Sequence, residues 1–123
     1  MIYVIDGSNF SNLEEFWQEI EKVFVYSIAK RGTFGRNFSA FRELLKTMPK
    51  DTVVVWQNSK LSLKNLAHAE TIKLLLRTRM NCHHSWDEVI RREIELAQFN
   101  LGETIFDTIV KIFVEESVAL RLE

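Results

Sequence analysis

Cys82, His83 and His84 stand together in the sequence, and a thiolate with imidazoles is a donor set that zinc accepts. Adjacent side chains diverge, and His68 is the only other imidazole in the 123 residues, so a tetrahedral site lacks its remaining corners. The triplet reads as a polar turn between two helices, and no metal or other cofactor is expected. Nor does the sequence place an orienting acid or amide beside Cys82, which argues against nucleophilic catalysis. As the sole cysteine it excludes an internal disulfide framework and fits a reducing compartment. No residue is assigned a catalytic role.

Val4-Ile5-Asp6-Gly7-Ser8-Asn9 sets a carboxylate at the end of an apolar run. The segment is similar to the opening strand of the PIN and NYN ribonucleases, a resemblance that implies an acidic cluster around a divalent cation, with Asp6 as one ligand. The other acids are absent where such a site needs them. The apolar run Thr52–Trp56 continues into Gln57-Asn58, and the last strand-like segment finishes at the chain end. An ordinary Asp-Gly turn is the better reading. No glycine-rich phosphate loop occurs, and Arg91-Arg92 sits among Asp87, Glu88, Glu93 and Glu95, which suits a mixed solvated helix face better than a nucleic-acid patch.

The remaining candidate is a surface. Phe38, Phe41, Leu45 and Met48 recur at helical spacing from about Asn37 to Thr47, leaving Ser39, Arg42, Glu43 and Lys46 as one exposed stripe at i, i+3, i+4 and i+7. Glu43 can pair with a basic group of a partner, and Gly32 and Gly35 let the preceding loop, residues 30–35, approach closely. Arg42 and Lys46 make the stripe basic overall. From periodicity alone, a solvated face carrying ordinary solubilising charges is the simpler alternative.

The elements that would position this stripe follow from patterning. Ile2–Ile5 reads as a strand closed by Asp6-Gly7. A helix follows, with Ser11 and Glu14 as a capping box and Leu13, Phe16, Trp17, Ile20, Val23 and Phe24 on one face. After the stripe-bearing helix, Pro49-Lys50-Asp51 is a stop, and Thr52–Trp56 suits a central strand covered on both faces. Leu61–Leu66 reads as a short helix, and Glu70–Arg79 as one with Ile72, Leu75 and Leu76 on one side. Asn81–His84 interrupts it. Ser85 and Glu88 form a second capping box opening a helix with Trp86, Val89, Ile90, Ile94 and Ala97, and Gly102 breaks the chain. Thr104–Glu116 is helical, and Val118, Leu120 and Leu122 alternate as a half-buried edge strand. Strands alternating with helices predict an α/β fold, a small three-stranded parallel sheet packed against helices through right-handed crossovers.

Composition agrees with one soluble domain over residues 1–123: 46% of residues are apolar, 27% charged, and the formal net charge is −1. That charge offers no global field for nucleic acid or an acidic membrane. No apolar run approaches the roughly twenty residues of a membrane helix, and no basic segment leads into an apolar stretch at the start, so the expected compartment is the cytoplasm.

Several blocks resemble the barstar family, the intracellular inhibitors of barnase-type ribonucleases, and especially its longer bacterial barstar-like branch. Val4-Ile5-Asp6-Gly7 is similar to the family's first strand and turn, Gly35-Arg36-Asn37-Phe38-Ser39-Ala40-Phe41-Arg42-Glu43-Leu44-Leu45 to its loop and recognition helix, and Val55-Trp56-Gln57-Asn58-Ser59 to its second strand and exit. Cys82-His83 and then Gly102-Glu103-Thr104-Ile105-Phe106-Asp107, leading into Ile109 and Phe113, resemble the extra segment and last long helix. The resemblance implies the barstar fold, with residues from about 68 to 101 a helical insertion relative to the shortest members. It implies inhibition by occlusion, acidic side chains of helix and loop mimicking substrate phosphates in a ribonuclease active site. The partner-binding set it implies is Thr33, Gly35, Asn37, Ser39, Arg42, Glu43, Lys46 and, from the last helix, Glu115. The family's two helix carboxylates fall on Ser39 and Glu43, and Arg42 takes the place of its intervening aromatic or amide contact. The expected partner is a secreted ribonuclease of barnase type or a diverged toxin with a less basic site, with neither nucleic acid nor membrane as partner. A non-inhibitory interaction module is the second reading and a metal-dependent ribonuclease the third; the oligomeric state is open.

Overall fold

The computed structural model describes residues 1–81 and 86–123, so the Cys82-His83-His84 turn and the Ser85 cap lie outside the described residues. Its sheet is made of the three apolar segments that alternate with helices in the sequence: β1 (Ile2–Asp6), β2 (Val53–Gln57) and β3 (Ala119–Leu122). They lie in the order β1-β2-β3, both pairs parallel, with Val4, Val55 and Arg121 in one row. Between β1 and β2 run α1 (Leu13–Val23), α2 (Val25–Arg31) and α3 (Phe38–Lys46); between β2 and β3 run α4 (Ser59–Asn65), α5 (His68–Asn81), α6 (Asp87–Gln98) and α7 (Ile105–Glu115). The architecture is the expected α/β one.

Because the strand order advances in one direction, two right-handed crossovers must land on the same face of the sheet. Tyr3, Ile5, Val54, Trp56 and Leu120 accordingly meet the helical core. On the opposite face Ile2 and Val4 are 69% and 42% exposed, and Ala119 and Arg121 are exposed too. The expectation that β2 is covered on both faces is therefore corrected: Val55 is buried on the open face because it lies between Val4 and Arg121 on the flanking strands. Leu122, expected to be half-buried with Val118 and Leu120, is exposed.

The core is aromatic. Phe16 stacks on Trp56 at 5.6 Å, and Phe41 meets Phe113 edge-on at 5.4 Å, tying α1 to the sheet and α3 to α7. Trp56 also donates its indole N–H to Ser62 Oγ at 2.9 Å inside the core.

Local details depart from patterning at several points. The cap of α1 is Asn12, one residue later than expected, whose side chain accepts from Glu15 N, while the Glu15 carboxylate accepts from the N–H and hydroxyl of Ser11, the residue before the cap, in place of the expected Ser11–Glu14 box. Phe24, buried with non-helical backbone, breaks the long helical pattern in two, and α2 carries Lys30 and Arg31, so the loop begins at Gly32. On α5, Thr71 is buried and Leu74 packs on the core, whereas Leu76 is exposed. On α6, Ile90, Ile94 and Ala97 are buried but Val89, and Trp86 at its N-cap, are exposed. Thr104 and Asp107 form a reciprocal capping box at the start of α7.

Candidate functional site

The stripe-bearing helix is α3. Gly32, at φ 98°, ends α2 in a conformation that a Cβ disfavours, and the chain turns again at Arg36 (φ 51°) before entering α3. Asn37 Oδ1 accepts from Ala40 N at 2.7 Å and its Nδ2 donates to the Gly35 carbonyl at 3.1 Å, so both ends of the amide are engaged in shaping the loop and capping the helix. Phe34 and Phe38 each meet Trp17 edge-on, at 5.7 and 5.6 Å, clipping loop and helix start onto α1. Arg36 adds a polar clip that the sequence reading missed. Its guanidinium donates to Glu21 at 2.6 and 3.0 Å and to Glu14 at 3.4 Å, and the Glu21 hydrogen bond and charge raise its pKa further above its ordinary value. Glu14 and Glu21 are seven residues apart on α1, a two-turn spacing that puts them on one face and could have signalled a shared cation.

Phe41, Leu44 and Leu45 bury the inner side of α3, and Ser39, Glu43 and Lys46 are exposed on its outer side. Thr33, Ser39 and Glu43 line one cleft of about 170 Å³ together with Arg31 and Ile28 of α2. Arg42 is turned toward α7 instead: its Nη1 lies 2.7 Å from Glu115 Oε2 and 3.6 Å from Glu116 Oε2. Lys46 Nζ lies 3.2 Å from Glu43 Oε1. The basic stripe expected from Arg42 and Lys46 is corrected by these pairs, since the face sets two cations against three carboxylates. Gly35 and Asn37 serve the loop's shape, whereas Thr33, Ser39 and Glu43 lie around the cleft.

A model of the barstar family, described as barstar (barnase inhibitor), matches residues 1–100, from β1 through α6. The chain belongs to the barstar family. No curated protein and no solved structure matches it. Barstar-type proteins are inhibitors rather than enzymes, and the α/β fold with its three-stranded parallel sheet is the one the resemblance implied. No helix among the described residues is long and apolar enough to cross a membrane.

In this barstar-family chain the Asp6 end of β1 is a structural turn. Asp6 Oδ1 accepts from Ser8 N at 2.9 Å, Ser8 Oγ at 2.7 Å and Asn58 Nδ2 at 2.9 Å. These bonds hold its carboxyl below the ordinary 3.8, the Ser8 N–H contributing most, then Asn58, then the Ser8 hydroxyl. The nearby Glu19 is buried, accepting from Asp6 N at 2.9 Å and from Asn9 Nδ2 at 3.2 Å, so it fastens α1 to the strand end. Among the described residues no group of three His, Cys, Asp or Glu side chains could hold a metal ion. Gly7 follows directly, and a Cβ there would stand 2.4 Å from Ser62 Oγ and 2.5 Å from the Asn58 carbonyl, which explains the Asp-Gly pair without any catalytic demand.

Proposed function

We propose that this barstar-family chain inhibits a ribonuclease of barnase type, or a diverged toxin of that class, by seating α3 and the loop before it in the enzyme's active-site cleft. Thr33, Gly35, Asn37, Ser39, Arg42, Glu43, Lys46 and Glu115 form the partner-binding set, on one domain over residues 1–123 with 68–101 as a helical addition. Glu43 is the observation that carries the reading. Its carboxylate is exposed on the outer face of α3, in the lining of the cleft it shares with Thr33, Ser39 and Arg31, and among the described residues its ion-pair partner is the exposed Lys46. An exposed i,i+3 pair contributes little and exchanges readily.

Inhibition of this kind transfers no atoms. A ribonuclease site that binds substrate phosphates presents converging cations, and a carboxylate held on a rigid helix can occupy a phosphate position through charge-assisted hydrogen bonds. In the free protein Arg42 is paired with Glu115, while Arg31 lines the same cleft and Lys46 lies on Glu43, so the target's cations would have to displace Lys46 to reach the Glu43 carboxylate. Such a protein protects the cytoplasm of a cell that makes the enzyme for export.

The test is a titration of a barnase-type ribonuclease with this protein, read by calorimetry and by RNA cleavage. One equivalent should abolish cleavage with a 1:1 heat signal. Unimpaired cleavage in excess inhibitor would refute the reading.

A further inference from the structure

Helix α6 and its two capping residues carry more apolar surface than the other described residues cover. Ile90, Ile94 and Ala97 are buried, and α6 packs against α5. Beside that buried face, Trp86, Val89, Leu96 and Phe99 remain 59%, 52%, 37% and 76% exposed. Residues 86, 89, 93 and 96 follow the i, i+3, i+7, i+10 spacing of a helix-pairing seam; Trp86 and Phe99 are the residues that cap α6 at its two ends, and Phe99 is three residues beyond Leu96. Isolated exposed apolar residues are ordinary, but four aligned along one helix edge form a strip that association can bury.

The order of residues along the strip says what fits it. About a midpoint between Arg92 and Glu93, the sequence runs Arg92, Val89, Trp86 in one direction and Glu93, Leu96, Phe99 in the other. A two-fold rotation through that midpoint exchanges basic for acidic, aliphatic for aliphatic and aromatic for aromatic. Arg92 and Glu93 are both exposed, and neither has an ion-pair partner among the described residues, whereas Arg91 pairs with Glu88 and Arg79 with Asp87.

We propose that α6 pairs antiparallel with α6 of a second copy of this chain. In a two-fold interface each contact occurs twice. Trp86 meets the partner subunit's Phe99, Val89 meets the partner's Leu96, and Arg92 and Glu93 form reciprocal ion pairs at the axis. A parallel arrangement would set Arg92 against Arg92 and Glu93 against Glu93, so charge selects the antiparallel register. A single helix face buries less than the about 1,200 Å² of a standard interface, which places the dimer in the weak, concentration-dependent class. The surface is separate from α3 and does not depend on what α3 binds.

Sedimentation equilibrium of the wild type and of Arg92→Glu and Glu93→Arg tests this, with melting curves to show that each variant is folded. The wild type should dimerise reversibly, and each variant alone, with like charges at the axis, should dissociate at least about tenfold more readily. An equimolar mixture of the two variants should associate at least as tightly as the wild type, because each supplies the charge the other lacks. A wild type that stays monomeric up to about 1 mM, where an association worth only about 4 kcal/mol would already show, would overturn the proposal. So would a mixture that associates no better than its components, which would assign the strip to some other protein.

Discussion

Arg42 of α3 and Glu115 of α7 are joined at 2.7 Å across 73 residues of sequence, with Glu116 0.9 Å farther from the same guanidinium nitrogen. The pair does two things. It ties α3 to α7 above the Phe41–Phe113 contact, and it withdraws the one cation at the centre of the α3 face from anything that approaches. Both side chains are more than a third exposed, so the link contributes little to stability and much to the sign of the local field.

Arg42→Ala should therefore change folding stability by no more than about 0.5 kcal/mol while removing the cation beside Glu116 and leaving Glu115, among the described residues, with Lys111 alone, 4.0 Å away. If the target site is cationic, its association rate with the variant should rise, and the gain should shrink as salt is added. Stopped-flow association at two ionic strengths reads this directly; a slower association at low salt would mean that Arg42 itself meets an acidic group on the target.

Glu43→Ala should weaken the complex by about 2–5 kcal/mol, the range for truncating one member of a desolvated charge pair, to which the family's own type pair, barnase and barstar, contributes. Melting temperature should stay nearly unchanged because Glu43 faces solvent in the free protein. Lys46→Ala should cost little or improve binding, since it releases Glu43 from its internal partner. Calorimetric titration of both variants separates the cases, and equal affinities for Glu43→Ala and wild type would remove α3 as the inhibitory surface.

Ser62→Ala should destabilise the fold by about 1–3 kcal/mol, because Ser62 Oγ is the acceptor for the buried Trp56 indole and its removal leaves that N–H unpaired in the core. Urea denaturation measures the loss. An unchanged midpoint would show that the indole finds another acceptor.

What could be read in the sequence follows the range of the interactions. Strands and most helices are written in local periodicity, so β1, β2 and α3 were placed within a residue or two, and the parallel sheet followed from alternation of strands with helices. The α3 stripe was visible because it is the complement of a buried face on one helix. Its electrostatics were not, because Arg42 and Glu115 lie on different helices and nothing in either segment records the other. The same limit hid the Arg36 clip to Glu21 and the buried role of Glu19. Phe24 misled for another reason: its spacing continues the α1 face, yet burying it takes a backbone break that periodicity does not report. On α6, Trp86 and Val89 look like core and lie outside it, since amphipathic spacing marks an apolar face without saying whether anything covers it.

The turn at Asp6 yields a prediction in pH. Its carboxyl is lowered from the ordinary 3.8 in the folded protein by the Ser8 N–H, Asn58 and the Ser8 hydroxyl, so the folded state binds its proton less readily than the unfolded chain does. A depressed carboxylate contributes stability that is fully present above about pH 4 and is lost as pH falls through the lower folded value. Asp6→Asn keeps a carbonyl oxygen for the same three donors but has no proton to bind, so it mimics the protonated residue. Melting temperatures of the two proteins should differ at neutral pH, the wild type being the more stable, and converge as the pH falls through the lowered folded value of the Asp6 carboxyl. Glu15, lowered from 4.5 by the Ser11 hydroxyl and N–H, titrates in an overlapping acid range but is common to both proteins, so the difference between the curves isolates Asp6. A gap between wild type and Asp6→Asn that stays constant across the acid range would show that the turn depends on the shape of the side chain and owes nothing to its charge.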